Sequence, residues 1–104
     1  MKLKIIENSS IPSFFGANGI TLYPFVFLDR PFKQAKEDQL LGHEYVHVLQ
    51  IRQMGVVKFY FNYLKEFAIN LSKYRNFDKA YHNISFEIEA YTYQGIVFLP
   101  DPLE

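Results

Sequence analysis

The chain has no cysteine and no tryptophan, and its eleven lysines and arginines are matched by eleven aspartates and glutamates, a formal net charge of zero. Without cysteine no disulfide can hold the fold, so stability has to come from packing or from a bound metal. With neither a basic excess nor a basic block, nothing is suited to lie along a phosphate backbone, and no nucleic acid is expected as a partner. Long apolar runs are missing too: no stretch approaches the ~20 uninterrupted apolar residues that span a bilayer. Met1 to Ser10 offers only Leu3 and Ile5-Ile6 before Glu7-Asn8, too little for the apolar region of a signal peptide. The expected location is cytoplasmic.

What the chain does have is apolar and aromatic mass, with 49% hydrophobic and 18% aromatic residues among 104. That length predicts one domain, 1–104, since single domains cluster near ~100 to 150 residues. Lys2 to Ile6 reads as a short strand and Ser9 to Asn18 as loop. Ile20 to Leu28 reads as extended, but Pro24 has no N–H to give a ladder, which predicts an edge strand or a broken one. A helix is expected from about Lys36 to Met54, stopped by Gly55, and a second from Val56 to Tyr74 with Tyr60, Leu64, Phe67, Leu71 and Tyr74 on one face. A third is expected from Ser85, as its N-cap, to about Val97. Short strands followed by three helices predict an α+β domain with an edge strand beside the first helix.

That first helix carries His43-Glu44-Tyr45-Val46-His47, the H-E-x-x-H pattern. At ~100° per residue the two histidines lie ~40° apart on one face, so both imidazoles can reach one ion at ~2.0 to 2.1 Å. Glu44 sits beside such an ion, where a carboxylate can take a proton from a metal-bound water and pass it to a leaving amine. With this composition the pattern arises by accident in roughly half a per cent of such chains, which argues against coincidence. Leu41, Tyr45 and Val48 occupy the opposite face, leaving His43, His47 and Gln50 as a polar stripe that needs partners if buried.

A third protein ligand is required for a catalytic zinc site, leaving one position open. Gln53 stands where a third histidine of the short H-E-x-x-H-x-x-G-x-x-H spacing would fall, and His82 reads as a loop residue. The candidates are Glu87 and Glu89 in Ser85-Phe86-Glu87-Ile88-Glu89-Ala90-Tyr91, which project ~200° apart on a helix, so only one can face the histidines. Periodicity favours Glu87, which shares its face with Tyr91 and Gln94, and leaves Glu89 open.

Leu41-Gly42-His43-Glu44-Tyr45-Val46-His47-Val48-Leu49-Gln50 followed by Phe86-Glu87-Ile88-Glu89-Ala90-Tyr91 resembles the gluzincin metallopeptidases, and more narrowly the small single-domain minigluzincins. The resemblance covers residues 18–95. It implies a zinc endopeptidase, in latent or active form, with one Zn2+ held by His43, His47 and Glu87, and Glu44 as general base and acid. It also implies an extended peptide substrate paired to a strand like Ile20 to Tyr23. Gluzincins often place an aspartate four residues after the ligand glutamate to support a zinc-bound histidine; here Tyr91 stands at that position.

Candidates for stabilising the oxyanion are Tyr91, His82 and Tyr93. The acidic tail Pro100 to Glu104 is expected to fold back toward the open metal position. Two readings of other classes stand beside the enzyme. One is a zinc-stabilised binding module without hydrolysis. In the other, the aromatic, lysine-flanked Lys58 to Tyr74 lies on a membrane or a partner protein, although the expected role of that face is to cover the metal-binding helix.

Overall fold

Pro24 sits where the extended stretch has to turn, and the chain turns there. The computed structural model describes residues 2–99, in which Ile20 to Leu28 is a hairpin: β2 (Gly19–Leu22) and β3 (Phe25–Leu28), joined through the cis Tyr23-Pro24 peptide bond. β1 (Lys4–Ile6) adds on the far side of β3 in parallel, Ile5 opposite Val26, so the strand order is β1-β3-β2 and β2 is an edge. Alternation along β3 turns Val26 and Leu28 inward, at 1% and 0% exposure, and leaves Phe25 and Phe27 stacked on the outer face with ring centroids 6.0 Å apart.

The segment expected to be loop before β2 contains a single turn of helix, α1 (Ile11–Phe14), with Pro12 in its first turn where its missing N–H costs nothing. The helix expected from Lys36 is two helices, α2 (Phe32–Glu37) and α3 (Leu40–Met54), set apart by Gln39 in the left-handed region at φ 71°. Asp38 explains the break: its carboxylate accepts the Leu40 N–H at 3.1 Å and the Arg30 guanidinium at 2.7 Å, a local alternative to continuing the helix. Gly55, at φ 99°, ends α3 as expected and starts α4 (Val56–Tyr74).

Two short elements complete the chain. Asn76 caps α5 (Phe77–His82) by accepting the Lys79 N–H at 2.9 Å, so His82 is the last residue of a helix and not a loop residue. The third expected helix is α6 (Ser85–Tyr93), shorter than the run to Val97. Its N-cap is Ile84; Ser85 lies one position inside, bonding Glu66 of α4 through both its N–H and its hydroxyl.

The result is an α+β fold in which α3 runs through the middle. Leu41, Tyr45 and Val48 pack on Leu3, Val26, Leu28 and Ala35, the face the sequence assigned to the core. The other side of α3 meets α6 and α4. α4 presents Phe59 and Tyr63 to that side, with Phe59 4.9 Å and Tyr63 6.3 Å from the Phe86 ring, whereas Leu64, expected on the covered face, is 64% exposed. The rest of the face read in the sequence, Tyr60, Phe67, Leu71 and Tyr74, is half-buried, and Phe59 and Tyr63 widen it on the side where α4 meets α3, while α5 packs further along. Among the described residues no helix is long and apolar enough to cross a membrane. The tail Pro100 to Glu104 lies outside the described residues.

Candidate metal centre

α3 is buried nearly all round, and its polar stripe is buried with it: His43 6%, His47 5%, Gln50 7% exposed. α6 crosses against this stripe because Gly42 lets it. A Cβ on Gly42 would stand 2.1 Å from the Gln94 carbonyl oxygen, so only glycine admits this approach. Ala90, fully buried, is the small residue on the α6 side.

The close crossing brings Glu87, 2% exposed, between the two imidazoles. Its Oε1 lies 2.8 Å from His43 Nε2, and its two oxygens lie 3.2 and 3.1 Å from His47 Nε2. One donor atom from each of His43, His47 and Glu87 falls within 4.8 Å of the others. Glu89 is turned away and accepts from Gln50 Nε2 at 2.7 Å; of the two acids left open by periodicity, Glu87 is the one that faces the histidines.

The far ring nitrogens decide what the near ones can do. Gln50 donates both to Glu89 and to the Phe86 carbonyl, at 3.1 Å, which fixes its amide so that Oε1 faces His47 Nδ1 at 2.8 Å. His43 Nδ1 lies 2.9 Å from Gln94 Oε1. Each Nδ1 therefore carries its proton outward to an amide oxygen, and each neutral imidazole points a bare Nε2 lone pair at a carboxylate. Lone pairs facing an anion need a cation between them, either protons on the rings or a metal. The donor set of two imidazoles and one carboxylate suits zinc. Gln50 and Gln94 supply the support for which the sequence offered no aspartate; Tyr91 instead packs its ring on His43 at 4.5 Å.

At His47 a proton is favoured in this place. Burial alone would disfavour a charged His47, but the hydrogen bond and charge of Glu87 outweigh it and raise its pKa to about 9. Burial likewise opposes ionisation of Glu87, yet hydrogen bonds from His43 and His47 hold its carboxyl well below the usual range. Tyr63 adds a third, donating to Glu87 Oε2 at 2.5 Å. Burial and then the Glu87 charge push the Tyr63 and Tyr81 phenols up, so both hydroxyls remain donors.

Glu44 is beside this group and outside it. It is 4% exposed, and Thr21 of β2 donates to its Oε1 at 2.8 Å. Burial raises its pKa against the pull of His47, His43 and Thr21. Gly19 makes room for it: a Cβ there would lie 3.2 Å from the Glu44 side chain.

Two adjoining hollows open on the centre. One, about 710 Å³, is lined by His43, Glu44, Tyr81, His82, Tyr91 and Gln94 among others; the second, about 490 Å³ and mostly apolar, runs between β2 and α4 to Glu44, His47 and Glu87. Of the oxyanion candidates, His82 stacks on Tyr91 at 5.6 Å and bonds the Asp78 carbonyl at 2.8 Å, and Tyr93 lines neither hollow. Tyr81 lines both and was not singled out in the sequence; nor were Tyr63 or Thr21, and Tyr60 was read only as part of the covering face of its helix. The spacing of Phe59, Tyr63 and Phe67 on α4 was the available signal for Tyr63. Thr21 and Tyr81 carried none, since they reach the site only by tertiary contact.

Comparison of the chain with protein-family models, with curated proteins and with solved structures returns no match.

Proposed function

We propose that the protein is a zinc-dependent peptidase of gluzincin type, with His43, His47 and Glu87 as the metal ligands and Glu44 as the general base and acid. The observation that carries this reading is the convergence of two imidazole Nε2 atoms and one carboxylate, with both Nδ1 protons directed away onto glutamine oxygens. When bound, zinc supplies Lewis acidity, polarising a peptide carbonyl and lowering the pKa of water.

The chain's own residues supply the rest. Thr21 holds one Glu44 oxygen, leaving the second to accept a proton, and burial makes this carboxylate a stronger base than one in water. Tyr63 ties Glu87 in place from α4. Tyr81, held protonated beside Glu87 and lining both hollows, is the donor we assign to meet an oxyanion. A buried carboxylate clamped by a threonine next to the ligand set has no use in a purely structural zinc site, which favours the enzyme over the zinc-stabilised binding module.

Metal content by mass spectrometry is the first test. About one zinc per chain is expected in the wild type and loss of it in His47→Ala and Glu87→Ala. Glu44→Gln is then expected to keep its zinc and lose peptide hydrolysis. Zinc retained in Glu87→Ala would refute the ligand set; hydrolysis retained in Glu44→Gln would refute the mechanism.

A further inference from the structure

β2 is the strand beside the candidate centre, and its outer edge is where an extended chain would add. Ile20 and Leu22 pair with Phe27 and Phe25, and Asp29 N–H bonds the Asn18 carbonyl at 3.0 Å, so even-numbered residues turn their backbone groups toward β3. By the alternation of an antiparallel ladder, Gly19, Thr21 and Tyr23 turn theirs outward. Gly19 and Thr21 border the apolar hollow that reaches Glu44, His47 and Glu87.

The edge is open at Gly19 and closed at Tyr23. The Tyr60 hydroxyl, from α4, donates to the Thr21 carbonyl at 2.7 Å and accepts the Tyr23 N–H at 3.1 Å. One phenol thus takes the Thr21 carbonyl and the Tyr23 N–H, the two groups that a single residue of a parallel added strand, or two successive pairing residues of an antiparallel one, would use. Its ring is backed by Phe59, centroids 5.1 Å apart, and borders the same hollow.

We infer that Tyr60 is a specificity-determining stop for strand addition on β2, an inference that rests on the peptidase reading. A peptide paired to the edge forms its ladder along Gly19 and the Thr21 N–H and then has to end or turn away. The substrate class is therefore a peptide that presents a chain end or a tight turn at this point, not the middle of a long extended segment. This narrows the endopeptidase expected from the sequence toward short footprints on one side of the scissile bond.

The test uses zinc-loaded Glu44→Gln protein, which is to bind without cleaving, and labelled peptides lengthened residue by residue from either end, read by fluorescence anisotropy. With Tyr60 in place, lengthening one end is expected to tighten binding about fivefold per added backbone pair, and lengthening the other to change it less than about twofold. With Tyr60→Ala added, both ends are expected to tighten. Should that variant lose its fold, Tyr60→Phe keeps the ring and frees both backbone groups, and the same trend of smaller size is expected. Equal gains from both ends with Tyr60 present, or an unchanged asymmetry once it is replaced, would overturn the stop alone. Absence of peptide binding in every protein, zinc being retained, would overturn the stop and the peptidase reading together.

Discussion

At the scale of single residues, the centre depends on two glutamines as much as on the residues of the motif. Gln50 is anchored at its amide nitrogen by Glu89 and the Phe86 carbonyl and offers its oxygen to His47; Gln94, at the C-cap of α6, offers its oxygen to His43. Groups that orient ligating histidines typically govern metal affinity by about 10 to 100-fold. Gln50→Ala and Gln94→Ala are each expected to weaken zinc binding by that order, measured by competition with a chromophoric chelator. Glu89→Ala, which removes only one of the two contacts fixing Gln50, is expected to lose less. An unchanged affinity in Gln50→Ala would mean that the orientation of His47 is set elsewhere.

At the scale of elements, the crossing of α3 and α6 is the feature without which His43, His47 and Glu87 do not meet, and Gly42 is what permits it. The methyl of Gly42→Ala would stand 2.1 Å from a backbone oxygen that no rotamer change can move. The helices would have to separate, at a cost of about 3 kcal/mol or more. Because Gln94 moves with α6, zinc affinity is expected to fall as well. Urea unfolding of the metal-free variant reads the first effect and chelator competition the second; a stability loss under about 1 kcal/mol would show that the crossing is looser than its geometry states. The interruption between α2 and α3 is of the same kind. Asp38 gives up helical continuity for bonds to Arg30 and to the Leu40 N–H, and those bonds depend on where β3 ends, since Arg30 follows it.

At the scale of the whole molecule, the site joins two unequal halves. The sheet and the inner face of α3 share a dry core of Leu3, Val26, Leu28, Leu41, Tyr45 and Val48 that owes nothing to the candidate metal centre. α4, α5 and α6 are held by thinner packing, with Phe59, Ala80, Ile84 and Ala90 among their few fully covered apolar residues, and by Glu87 with its partners. A ligand bound only to the folded state stabilises it by about 4 kcal/mol when present at a thousand times its dissociation constant. Zinc is therefore expected to raise the melting temperature, and chelation to speed amide exchange in α4 and α6 well before it does so in β3. Uniform acceleration across the chain would contradict the division into halves.

The H-E-x-x-H spacing, the apolar face of α3, the stop at Gly55 and the α+β class were legible in the sequence because each follows from a local rule: helical period, backbone freedom of glycine, the missing N–H of proline. Local rules also reduced the acidic candidates to Glu87 and Glu89, which cannot share a face of α6. They leaned to Glu87 without excluding Glu89, since which face of α6 meets α3 is decided by Gly42 and Ala90 at the crossing. Nor could they find Thr21 on Glu44, Tyr63 on Glu87 or Tyr60 on the β2 edge. Those three contacts span 23, 24 and 39 residues of chain, and side chains so far apart in sequence are matched only by the packing of whole elements.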